Sequence, residues 1–254
     1  MRKSMLLFLA ILALPLLAAT EAARVQIRYH PEPKTTWLTE GHLSVKSWLK
    51  LPTGEVNSAE EQDLLWEDLV DERDLAGTLA LVRQVRKWNR TGDPVNLAPP
   101  GHWHLTISKL YEQKMVAEGG PPGMVDQPAL FPLRNVAVGE SWPVEQTTTG
   151  TVAIDSKKLP IQTRLLGTGK LVSLDEKLAV LEFSLQLTSQ GQGPGAATSS
   201  QSKVEWTMHV DRATGVPIWQ KTVSSTEQTV TLGGSIIIPS RSDTVLELKT
   251  RLAP

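Results

Sequence analysis

The chain contains no cysteine. No disulfide can staple it, so its stability has to come from a packed core. The same absence excludes the lipid anchor that a bacterial lipoprotein carries on a cysteine after its signal. Phe and Tyr are scarce, at 3 and 2, whereas Trp reaches 8. Trp stacks on ligands and favours interfaces, but in strand-rich sequence large aromatics mostly fill the core, which is the reading adopted here. Neither sign of charge dominates: there are 26 basic and 27 acidic residues, or 24 and 26 once Arg2, Lys3 and Glu21 are set aside. A nucleic-acid binder would carry a basic excess or stripe, so nucleic acid is not an expected partner. After the first 22 residues no apolar run is long enough to cross the ~30 Å hydrocarbon core as a helix, and an integral membrane protein is not expected. Catalytic motifs are lacking too. Gly139-Glu140-Ser141-Trp142 is missing the second glycine of a nucleophile elbow, and Gly167-Thr168-Gly169 has no following helix or lysine in register for phosphate. No catalytic, cofactor-binding or metal residue is assigned, and a non-enzymatic protein is expected.

What is present begins with a three-part leader. Arg2 and Lys3 are positive, Met5 to Leu17 is apolar, and Thr20-Glu21-Ala22 offers small residues where a signal peptidase looks. This is the pattern of a secretory signal peptide over residues 1–22, cut after Ala22. A soluble protein of the periplasm or the exterior follows as the expectation.

The mature chain reads as strands and turns. Val25 to Tyr29 alternates as a short strand, and Thr36 to Leu51 as a longer one, with Gly41 a possible bulge. Trp103 to Val116 continues the alternation after a Pro-rich loop. Thr149–Ile154, Thr163–Leu174 and Leu178–Leu187 read as strands, with Lys157 to Pro160 a turn. Ser189 to Ser202 is poor in apolar residues and rich in Gly and Ser, which reads as a mobile hairpin tip. Lys203–Val210 and Val216–Leu232 flank a turn at Asp211–Gly215; Gly233-Gly234 turns again, and Ile236–Ile238 and Thr244–Leu252 close the chain. Asn89-Arg90-Thr91 is a glycosylation sequon, relevant only in a eukaryotic secretory pathway.

Residues 58–90 admit two readings. Ser58-x-x-Glu61 is a capping box and favours a helix. Asp74-Leu75-Ala76-Gly77 is a turn and favours a hairpin. The hairpin lays an acidic arm (Glu61, Asp63, Glu67, Asp68, Asp71) against a basic one (Arg83, Arg86, Lys87, Arg90) and sets Asp68 near Arg83. It explains both arms and is preferred, with the charged run read as a solvated face.

At the centre, residues 119–135 form a Pro/Gly-rich joint between an N-terminal β half (23–118) and a C-terminal one (136–254). The turn Val138-Gly139-Glu140-Ser141-Trp142, the Gly-rich strand Leu165-Leu166-Gly167-Thr168-Gly169 and the turn from Asp211 to Gly215 together resemble a family of secreted bacterial β proteins of unknown function. That resemblance implies an architecture similar to the curved sheets of lipoprotein carriers, which hold acyl chains in an apolar cavity. It implies no catalytic residue.

His102-Trp103-His104 is the best metal lead, because residues two apart on a strand point the same way. A site needs at least a third ligand, and His30, His42 and His209 are remote in sequence. The expectation is therefore an all-β protein, an antiparallel curved sheet, half-barrel or sandwich in two halves. Its function is expected to be non-enzymatic binding of an apolar ligand or lipid. A structural or protein-interaction domain of the cell envelope and a secreted hydrolase stand as the alternatives, and no residue is assigned to ligand binding.

Overall fold

The computed structural model describes residues 23–90, 102–117, 127–154, 157–193 and 195–254. The expected signal peptide, the polar loop from 91 to 101 and the first part of the joint lie outside the described residues, and the sequon runs into them. Among the described residues there are eleven strands and no helix: β1 (Thr36–Leu51), β2 (Gly54–Arg73), β3 (Leu79–Arg90), β4 (His102–Ile107), β5 (Gln113–Ala117), β6 (Ser141–Ile154), β7 (Lys157–Leu174), β8 (Leu178–Gly193), β9 (Ala196–Asp211), β10 (Pro217–Leu232) and β11 (Ile236–Leu252).

All eleven form one antiparallel sheet in the order β5-β4-β3-β2-β1-β11-β10-β9-β8-β7-β6. Two meanders, one from each part of the chain, are zipped together by β1 and β11 from Trp37↔Leu252 to Leu49↔Ser240. The edges are β5 and β6, which are consecutive in sequence and joined by the segment around the joint. They do not pair, so the sheet is curved but not closed into a barrel. Unpaired edges invite association, and each is blunted. Gln127 exchanges two backbone hydrogen bonds with Gln113 of β5, and β6 carries Pro143, which has no N–H to offer.

The preference for a hairpin over a helix at 58–90 holds. β2 and β3 are antiparallel strands, and Asp74 closes their turn with hydrogen bonds from Thr78 and Gly77. Exposed pairs such as Arg86–Glu67 bind the outer face as the charge pattern foretold. Other expectations need correction. Gly41 is not a bulge: it pairs regularly with Leu64 and Leu248, and a Cβ there would lie 2.7 Å from the Leu248 side chain, so the glycine serves close packing. Trp103 to Val116 is not one strand but the β4–β5 hairpin, reversed by Ser108, whose hydroxyl accepts from the Leu110 and Glu112 amides, and by Tyr111 at φ 61°. Lys157 to Pro160 is the start of β7 rather than a turn, and β11 runs unbroken through 236–252.

The largest correction concerns 189–202. β8 and β9 stay paired to Gly193↔Ala196, so no long tip exists. Ser189, Ser202, Thr198 and Ala196 are buried. The run is a strand pair with a small, polar inner face. Gly191 and Gly193 are there because a Cβ on either would press on Leu159 at 3.2 and 2.7 Å.

One end of the curved sheet is plugged. Val25 bridges Val136, the Tyr29 amide donates to Lys109, and the His30 amide donates to Thr214. The N-terminal segment thus ties together the joint, the β4–β5 turn and the β9–β10 turn. Glu140, in the turn after Val136, holds Arg24 and Arg134 and accepts from the Ala137 amide. Burial alone would raise its pKa, yet these partners lower it. Tyr29 tilts on Tyr111, which stacks on Phe131, with centroids 5.2 Å apart in each pair. Behind the plug the core draws on strands from both ends of the sheet, including Leu79, Leu81, Leu105, Leu181, Phe183 and Met208. The Gly-rich strand fits this packing: a Cβ on Gly169 would enter the Trp142 ring at 2.5 Å.

Candidate functional site

Alternation along a strand sends every second side chain inward, and the sheet's curvature makes those side chains converge. They do not fill the space they enclose. A cavity of about 610 Å³ remains, lined by residues from all eleven strands and from the plug. Natural interiors hold few voids larger than a water molecule, while small-molecule sites measure roughly 300–1,000 Å³. This void belongs to the second class by size.

Its walls are mainly aliphatic and aromatic. Trp37, Leu64, Trp103, Leu185, Val204 and Leu248 are representative. Trp103 is 3% exposed, and Trp206 tilts against Phe183 with centroids 5.9 Å apart. Across β1 and β11 the Thr39 and Thr250 hydroxyls share a hydrogen bond of 3.0 Å. From Thr163, which lines the cavity, onward the inner face becomes hydroxyl-rich. Thr163 bonds Ser189 at 2.9 Å and Ser202 bonds Thr226 at 2.8 Å, each pair spanning adjacent strands.

Two charged residues stand among the lining residues, Asp68 of β2 and Arg83 of β3. They face each other in register. Arg83 donates through Nε and a terminal nitrogen to the two Asp68 oxygens, at 2.7 and 2.8 Å. Its guanidinium lies 4.7 Å from the centroid of the Trp66 ring, and the Trp66 indole N–H donates to Asp68 at 3.2 Å. Burial pulls the Arg83 pKa down, but the Asp68 carboxylate outweighs it and the net shift is upward. The sequence reading brought Asp68 and Arg83 together but put them on a solvated face. The structure turns this pair inward. The signal was in the pattern: Arg83 has the same parity as Leu79, Leu81 and Val85, and Asp68 the same as Trp66 and Val70.

Beneath the ion pair sit Tyr29 and Tyr111, the two tyrosines of the chain, both buried. Burial pushes the Tyr111 phenol up to about 12, and Tyr29 well above its ordinary value, with Asp68 adding to the rise in both. A raised pKa means that the fold favours the neutral phenol. That stability is complete below the unfolded value, about 10, and is lost as pH climbs through the folded one. An ultraviolet alkaline titration should therefore show no tyrosinate at pH ~10 while the protein stays folded. Half-ionisation there in the folded protein would contradict the burial of both rings.

His102 and His104 are exposed on the outer face of β4, opposite Trp103. Among the described residues no group of three or more His, Asp or Glu side chains is placed to hold a metal. His42 lies on the outer face as well, 3.0 Å from both Asp63 and Glu61, and its hydrogen bond to Asp63 raises its pKa. Trp206 lines the cavity, whereas Trp219, its counterpart across the 211–215 turn, points outward, donates to Glu247 at 3.0 Å and packs on His209.

No protein-family model matches the chain, and no curated protein matches it. Among solved structures it is similar to an outer membrane channel from Pseudomonas putida F1, at 11% identity over 88% of this chain and 98% of that one, with a TM-score of 0.27. A likeness that loose carries no argument about what this chain does, which rests on its own residues.

Proposed function

We propose that this is a non-enzymatic, exported protein of the periplasm or the exterior whose concave sheet binds an apolar or amphipathic molecule such as a lipid. The observation that carries the reading is the cavity of about 610 Å³ with its aromatic and aliphatic walls. A filled interior would have favoured a purely structural or interaction domain. Asp68, the carboxylate among the described lining residues, is locked to Arg83 rather than poised beside a nucleophile, and this supports binding over hydrolysis. The leader-like residues 1–22 support export, and the resemblance of the 138–142 turn and the Gly-rich strand to secreted β proteins agrees with it.

Fluorescence tests the reading. Delipidated protein titrated with palmitate, a monoacylglycerol or a phospholipid should show a saturable shift or quench of Trp emission, because Trp37, Trp66, Trp103 and Trp206 line the cavity. Emission that stays unchanged across all three series would sink the binding function.

A further inference from the structure

Resting on that binding reading, we infer that the cavity selects amphiphiles with an uncharged polar head, of ester, amide or alcohol type, over ionised fatty acids, and that the Trp103 indole N–H donates to that head. Three observations carry it. The first is charge. Asp68 and Arg83 are the charged groups among the described lining residues, and each neutralises the other through two hydrogen bonds. A bare carboxylate entering this interior would arrive as an excess anion with no free cation to meet it, which is costly in an apolar site.

The second is an unpaired donor. Trp103 is buried, with 3% of its surface exposed, and lines the cavity, yet its Nε1–H has no hydrogen-bond partner among the described residues. Buried polar groups are nearly always paired, so such an orphan calls for an explanation. A ligand oxygen supplies one. The third is an unpaired acceptor. Gln127 Oε1 is also buried without a partner among the described residues, and Gln127 lines the same cavity. The Trp206 indole N–H, also among the lining residues, is a second buried donor without a partner among the described residues. Two orphan donors and one orphan acceptor in the same cavity suit a head carrying both a carbonyl and a hydroxyl, because the acceptor needs a ligand group that donates. An ionised carboxylate has only acceptors. Register places Trp103 directly opposite Arg83 on the neighbouring strand.

The experiment is calorimetric titration of the full mature chain with three probes of equal chain length: 1-palmitoylglycerol, palmitate at pH roughly 8, where it is ionised, and hexadecane. The expected order puts 1-palmitoylglycerol at least tenfold tighter than palmitate. Trp103→Phe keeps a ring in the wall and removes the donor. It should weaken 1-palmitoylglycerol roughly threefold to tenfold, the worth of one hydrogen bond, and leave hexadecane unchanged. The wild-type comparison stands by itself if that variant fails to fold. Palmitate binding as tightly as 1-palmitoylglycerol would overturn the inference and leave the binding function standing. Equal weakening of hexadecane by Trp103→Phe would show a packing role and overturn the assigned donor. Failure of all three probes to bind would overturn the binding function itself.

Discussion

Asp68→Ala is expected to destabilise the protein by about 3–5 kcal/mol, the usual consequence of stripping one partner from a buried ion pair. Arg83 would be left with its charge inside the sheet, facing Trp66 and two tyrosines whose rings cannot replace a carboxylate. The Trp66 N–H would lose its acceptor at the same time. The double variant Asp68→Leu with Arg83→Met should recover most of that loss, because two apolar side chains of similar bulk avoid the desolvation of both ions. Urea unfolding of the single and double variants, followed by Trp emission, measures the pair directly. A single variant within about 1 kcal/mol of wild type would mean that solvent reaches Arg83 freely, and the inward placement of the pair would be wrong.

Phe183→Ala should cost a similar amount, about 3–5 kcal/mol. Phe183 is among the largest fully buried side chains. It meets Trp142 edge to face at 6.0 Å and tilts against Trp206, and such aromatic pairs add about 0.5–1.5 kcal/mol each beyond burial. Trp142 in turn donates to the Leu130 carbonyl at 2.8 Å, so Phe183 supports the contact that seats the joint under the sheet. Val223→Ala, on the exposed outer face of β10, is the matched control and should stay within about 0.5 kcal/mol. Comparable losses at both positions, read from the same urea curves, would contradict the separation of inner from outer face.

Much of this fold was legible because its signals are local. The bounds of β1 follow from alternation between two Pro-containing turns. The β2–β3 hairpin follows from Asp74–Gly77 and from opposite charges on its arms. The Asp211–Gly215 turn declares itself, and in the structure Gly215 takes φ 69° with its Cα so close to the Arg28 carbonyl that a Cβ would overlap it. What failed to read did so for identifiable reasons. Gly and Ser in 189–202 suit a loose tip and a narrow polar inner wall equally well, and composition cannot tell which. The β4–β5 reversal uses Ser108 and a left-handed Tyr111, with no Gly, Pro or Asn to announce it. The cavity was out of reach because it depends on curvature, through which β2 and β8, far apart in the sheet order, line the same space. Its polar pair is legible as a pair from the opposite charges of Asp68 and Arg83, while its inward face follows from strand parity with Trp66, Val70, Leu81 and Val85.

Native mass spectrometry of the protein recovered from its host without detergent tests the central claim most directly. The account predicts a chain beginning at or near Ala23 that carries one amphiphile, released on unfolding and identifiable by its mass. A homogeneous population of ligand-free chains, which also fails to take up added 1-palmitoylglycerol in the same spectrometer, would contradict it.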